Sequence, residues 1–117
     1  YEEYLNYMSS MTANLDQNLF EKAIDRYNDG TATLKDLNLI YQNDYLTQQE
    51  YYLEVCKYCI EHDKMYTLQS TLEELGGNNL IHTLEAVIQS LCEMDLNSNV
   101  ISIITNIYSE YIDVQNV

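Results

Sequence analysis

Not one of the 117 residues is proline and only three are glycine, so the residues that normally interrupt helices are nearly missing. Such a chain forms long elements unless its side chains dictate the stops, and its apolar residues recur every three or four positions, the period of a helix. The adjacent pair Gly76-Gly77 therefore stands out as punctuation.

Seven segments read as helices. The first, EEYLNYMSSMTANL, carries Tyr4, Met8 and Met11 at helical spacing. The second opens at Asp16, an N-cap residue, with Leu15 placed to pack on Phe20. Leu19, Phe20, Ala23, Ile24 and Tyr27 form its stripe, and NDG at 28–30 ends it with glycine in the C′ position. Thr33 and Asp36 open a third, with Leu34, Leu37, Ile40 and Tyr41. Thr47 and Glu50 form a capping box for the fourth, which runs to about Asp63. Leu68, Leu72 and Leu75 mark a fifth, stopped at Gly76 and Gly77. Asn78 or Asn79 caps the sixth, where Leu80, Leu84, Val87, Ile88, Leu91 and Met94 share one side. Asn97 or Asn99 caps the seventh, with Val100, Ile103, Ile104, Ile107, Tyr111 and Val114.

The β-branched content of that last segment favours a strand. Strict alternation fails at Ile103-Ile104, however, and on a helical wheel the apolar side chains fall within about half the circumference. The expected fold is all-α, one compact domain over residues 1–117 built as a bundle of six or seven short helices. Hydrophobic residues make up 46% of the chain, enough for a core of its own, and no apolar run reaches the length of a membrane span. Three cysteines, an odd number without framework spacing, point to a reducing, cytoplasmic setting.

The segment YYLEVCKYCIEH, residues 51–62, holds Cys56, Cys59 and His62 three residues apart in turn, the one place where residue types invite chemistry. On the wheel only Glu54, Lys57 and Glu61 occupy a polar sector, so this helix is expected at the centre with its cysteines buried as small hydrophobes. Positions i, i+3 and i+6 drift about 60 degrees per step, so Cys56 and His62 diverge and do not converge on a tetrahedral zinc. A thioredoxin-like role needs its CxxC at a helix N-terminus, whereas Cys56 is nine residues past the cap. Cys92, at the margin of the sixth helix's apolar face, is expected to be buried too, and His82 to be solvated. No metal or cofactor is expected.

No phosphate loop, HExxH, GxSxG or calcium-loop spacing occurs. Neighbouring carboxylates such as Glu73-Glu74 point about 100 degrees apart on a helix and do not share a substrate. The chain is expected not to be an enzyme.

What is unusual is the shortage of bases. Net charge is −14, with five Lys plus Arg, all between Lys22 and Lys64. Glu73, Glu74, Glu85, Glu93, Asp95, Glu110 and Asp113 follow with no base among them. Asn (12), Tyr (12) and Ile (10), all with A/T-rich codons, are abundant, while lysine, which such a gene should also favour, numbers four. The hypothesis is that positive charge is selected against, and equally low lysine in other proteins of the same genome would remove it. Solubility alone explains an acidic surface. An anionic field also steers association with a basic partner. Twelve tyrosines beside one Phe and no Trp suit an interface. Tyr51, Tyr58 and Tyr111 are expected in the core; Tyr1, Tyr4, Tyr7, Tyr45 and Tyr66 are the candidate surface anchors.

The functional expectation is a non-enzymatic inhibitor or antagonist from a virus, phage or mobile element. Its seven C-terminal carboxylates would occupy the basic, nucleic-acid-binding surface of a target protein, as an anti-restriction or anti-CRISPR decoy does. Direct nucleic-acid binding is disfavoured, because nothing here neutralises phosphates, and no membrane partner is expected. The alternatives are a helical regulatory or adaptor subunit holding a partner helix in an apolar groove, and an antitoxin or immunity protein.

Overall fold

The computed structural model describes residues 17–113. The helix expected at residues 2–15 lies outside the described residues, as do Tyr1, Tyr4, Tyr7, Leu15, Asp16 and Val114. The described residues are all-α, six helices followed by a π-helical turn, with no strand among them. The chain divides into two compact units, Tyr1–Tyr45 and Leu46–Val117.

In the first unit, α1 (17–29) leads into α2 (Leu34–Gln42). Thr33 and Asp36 open α2 as read, and they do so through a capping box, the Thr33 hydroxyl accepting from the Asp36 N–H while Asp36 accepts from the Thr33 N–H at 3.0 Å. Asp36 has a second partner. Arg26 of α1 forks onto it, Nε to Oδ2 at 2.7 Å and Nη2 to Oδ1 at 2.6 Å. This buried carboxylate therefore both starts α2 and ties it to α1. Phe20 and Tyr27 each meet the ring of Tyr45 edge to face, at 6.4 and 6.2 Å. Leu19, expected in the apolar stripe, is instead exposed.

In the second unit, α3 (Gln48–Glu61), α4 (Met65–Gly77), α5 (Ile81–Leu91) and α6 (Ser98–Ile107) follow in order, and α6 widens into the π turn Tyr108–Ile112. Helix α3 packs on α4 and α5, α4 also meets α5 and α6, and the π turn rests on α5. Leu68, Leu72, Leu75, Leu84 and Leu91 are fully buried; each contributes roughly 2 kcal/mol relative to exposure. Every residue from Tyr51 to Ile60 is buried or half-buried, as a central helix requires. The isoleucine-rich segment is helical as read, capped by Asn97, whose side chain accepts from the Val100 N–H at 2.9 Å.

The helix stops repeat one device. At the end of α1, Gly30 (φ +79°) donates to the Tyr27 carbonyl and Thr31 donates to that of Arg26, the paired 5→2 and 6→1 bonds of a Schellman motif. The same pair recurs after α2 at Asp44 (φ +62°), after α3 at Asp63 (φ +55°) and after α4 at Asn79 (φ +61°). Three of the four left-handed positions thus hold Asp or Asn, which tolerate that conformation better than other side chains though less well than glycine.

This corrects two expectations. Gly76 and Gly77 do not stop α4, which runs through both, and Asn79 ends α4 instead of capping α5, whose N-cap is Leu80 without a side-chain bond. Gly76 is glycine for another reason. A Cβ there would overlap the ring of Tyr111, whereas one at Gly77 would meet nothing. Beyond Ile107 the π turn adds a residue to the winding, so Ile112 rather than a residue on the straight helical stripe is carried into the core. Among the described residues, no helix is long and apolar enough to cross a membrane.

Candidate functional site

The cysteine helix is placed by its capping box, the Thr47 hydroxyl accepting from the Glu50 N–H while Glu50 accepts from the Thr47 N–H at 3.0 Å. From that start, Cys56 and Cys59 turn inward and are fully buried, while His62 lies past the last turn, exposed, stacked on Tyr58 with ring centroids 4.1 Å apart. Burial pushes both thiols up, away from the thiolate that a nucleophile or metal ligand needs. Among the described residues no three His, Cys, Asp or Glu side chains gather as a metal site would. His82 is exposed on α5 as read. Cys92 is the exception to expected burial: it is exposed, because α5 ends at Leu91 and the chain turns away there.

The seven carboxylates lie on four segments. Glu73 and Glu74 are exposed on the last turns of α4, where the Gln69 amide donates to Glu73 at 3.3 Å and the Tyr52 hydroxyl to Glu74 at 3.2 Å. Glu85 is half-buried on α5. Glu93 and Asp95 are exposed on the connection after α5, so Glu85 and Glu93 do not stand on one helix. Glu110 is on the π turn and Asp113 follows it, both exposed. The ion pairs of the described residues, Arg26 with Asp36 and Lys57 with Glu54, include none of the seven. Tyr111 has its hydroxyl pushed above the ordinary range by burial first, then by Glu110 and Glu73, so two of the seven charges act on this one side chain.

The expected anchor Tyr66 is 85% exposed, and Tyr51, Tyr58 and Tyr111 are half-buried. A further tyrosine was not singled out by its sequence. Tyr108, exposed on the π turn, lines a groove of about 450 Å³ within the second unit. One wall is Glu85, Ile88, Gln89 and Cys92 of α5 and its C-cap; the other is Ile104, Thr105, Tyr108 and Ser109. The spacing of Ile101, Thr105 and Tyr108, at i, i+4 and i+7, marks this second face of α6, and Ile101 and Tyr108 are large apolar side chains left exposed. The arrangement offers apolar contact and negative charge. Compared with protein families, curated proteins and solved structures, the chain matches none.

Proposed function

We propose that this is a non-catalytic protein-binding chain whose C-terminal unit presents an anionic surface to a cationic partner. The partner is a basic surface of the kind that holds DNA or RNA, and the chain acts as its antagonist, encoded by a virus, phage or mobile element. The observation that carries this reading is the absence of any internal cation for seven carboxylates: no Lys or Arg follows Lys64, and six of the seven side chains are exposed. Each is free to be neutralised from outside.

Strict imitation of a duplex is not part of the proposal. DNA carries one charge per about 1.7 Å of axis, and here the acids are spread over α4, α5, the connection after it and the π turn. A patch that attracts and orients a basic groove asks less of the geometry. Placement of charge against stability supports the reading as well. Asp44 and Asp63 occupy left-handed stops at helix C-termini, where the helix dipole disfavours an anion and where glycine or asparagine would serve better.

The test is capture from a native host with the full chain and with the Glu73→Lys/Glu93→Lys/Glu110→Lys variant. The expected catch is a basic nucleic-acid-binding protein whose affinity falls steeply from about 50 to about 500 mM salt, as screening shortens the field. The variant should lose it, and the chain should displace DNA or RNA from it. A neutral or acidic catch, or binding indifferent to salt and charge reversal, would sink the reading.

A further inference from the structure

We infer that the groove between α5 and α6 is the docking site for about two turns of a cationic amphipathic helix of a partner protein. An apolar side chain would enter over Ile88 and Ile104 while a Lys or Arg meets Glu85. The inference rests on the cationic partner proposed above and names the place and the chemistry by which it is held.

Shape points to a helix. Along one wall Glu85, Ile88, Gln89 and Cys92 stand at i, i+3, i+4 and i+7 of the sequence, a single face about 10 Å long at 1.5 Å per residue. Across from it, Thr105 and Tyr108 continue the exposed stripe that starts at Ile101. Ile88 and Ile104, each only 5% exposed, make an apolar floor, the exposed Tyr108 ring adds to the apolar lining, and Glu85, Gln89, Thr105 and Ser109 supply the polar groups. Tyr108 and Ser109, at the start of the π turn, line the groove, and such π turns recur at functional positions.

Charge selects the occupant. Glu85 stands in the wall, half-buried and without an ion pair among the described residues. A neutral or acidic helix laid over it would remove its solvent and supply no counter-charge, which is costly, whereas a cation satisfies it. A second copy of this chain, at net charge −14, is repelled by the same argument.

The experiment uses the full chain and three fluorescent peptides: Leu and Lys with leucines at i, i+3, i+4 and i+7; the same composition with leucines spread round the helix; and the patterned peptide with Gln for Lys. A bulky maleimide is placed on Cys92, the exposed thiol, in the native protein, with one adduct confirmed by mass and unchanged circular dichroism. Thr105→Arg, at an exposed position, obstructs the groove independently of alkylation. The patterned cationic peptide should bind at least about tenfold tighter than either control, and both the adduct and Thr105→Arg should weaken it by about as much. Glu85→Gln should weaken it and flatten its salt dependence.

Equal binding of both cationic peptides, unaffected by the adduct, would overturn the groove and leave the anionic surface standing. Equal binding of the Gln and Lys peptides would overturn the cationic occupant and the anionic reading together. No binding by any peptide, or self-association in sedimentation that the adduct abolishes, would overturn the inference.

Discussion

The two adjacent glycines of α4 should respond to alanine with opposite signs. In an unobstructed helix Gly→Ala gains about 0.5 to 1 kcal/mol by restricting the unfolded chain. Gly77 is such a position: it is helical, its φ is not in the left-handed range, and an added Cβ meets nothing. At Gly76 the same methyl overlaps Cγ and both Cδ atoms of Tyr111. These are the inner atoms of the ring, so a flip about the ring axis does not clear them and the side chain must swing about its first torsion. Overpacking of this kind costs about 1 to 3 kcal/mol, which outweighs the helix gain. The expected result is Gly77→Ala more stable by about 0.5 kcal/mol and Gly76→Ala less stable by about 1 to 2 kcal/mol. At about 4 °C per kcal/mol for a chain of this size, the two melting temperatures should differ by about 6 to 10 °C. Thermal and urea unfolding measure it, and Tyr111→Ala should remove most of the Gly76→Ala penalty in a double-mutant cycle. Should Gly76→Ala match Gly77→Ala, the ring does not lie where the packing argument needs it.

Two other predictions concern the helix termini. Asp36 is held at about 2, chiefly by its hydrogen bond from Arg26 and opposed by burial. Because the folded value lies below the unfolded one, the stability it contributes is complete above pH 4 and is lost as pH falls toward 2. Asp36→Asn should cost about 2 kcal/mol at neutral pH by urea unfolding and flatten that acid limb. Asp63→Gly should stabilise by about 1 kcal/mol, by releasing a left-handed aspartate and removing an anion from the end of α3; a melting temperature that falls would contradict this.

Much of the fold is legible in the sequence because it is written locally. The helix start at Thr33, the capping box at Thr47 and the glycine stop at Gly30 each depend on residues five or fewer apart, and all three form as read. The alternative of a strand for residues 100–107 fails because Val100, Ile104 and Ile107 share one helical face and are buried together. What local reading assigns wrongly is the work of Gly76, Gly77 and Asn79. Two glycines side by side look like a stop, and an asparagine before an apolar run looks like an N-cap. The chain instead uses Asn79 to end the preceding helix and leaves Gly76 inside α4, since only a residue 35 positions later, Tyr111, makes its missing side chain necessary.

The burial of Ile112 is hidden for a related reason. A helical wheel assumes one winding, and on it Tyr111 and Val114 continue the stripe of Val100, Ile104 and Ile107. The i→i+5 bond from the Asp113 N–H to the Tyr108 carbonyl breaks that assumption. Ile112 takes the core position, Tyr111 lies over Gly76, and Tyr108 faces the groove opposite α5. One extra residue in a single turn thus carries Ile112 inward while Tyr108, still on the α-helical face of Ile101 and Thr105, lines the groove. A substitution that restores a plain α-helix across 108–112 should therefore displace Ile112 from the core and lower the melting temperature, leaving the groove wall at Thr105 and Tyr108 in place.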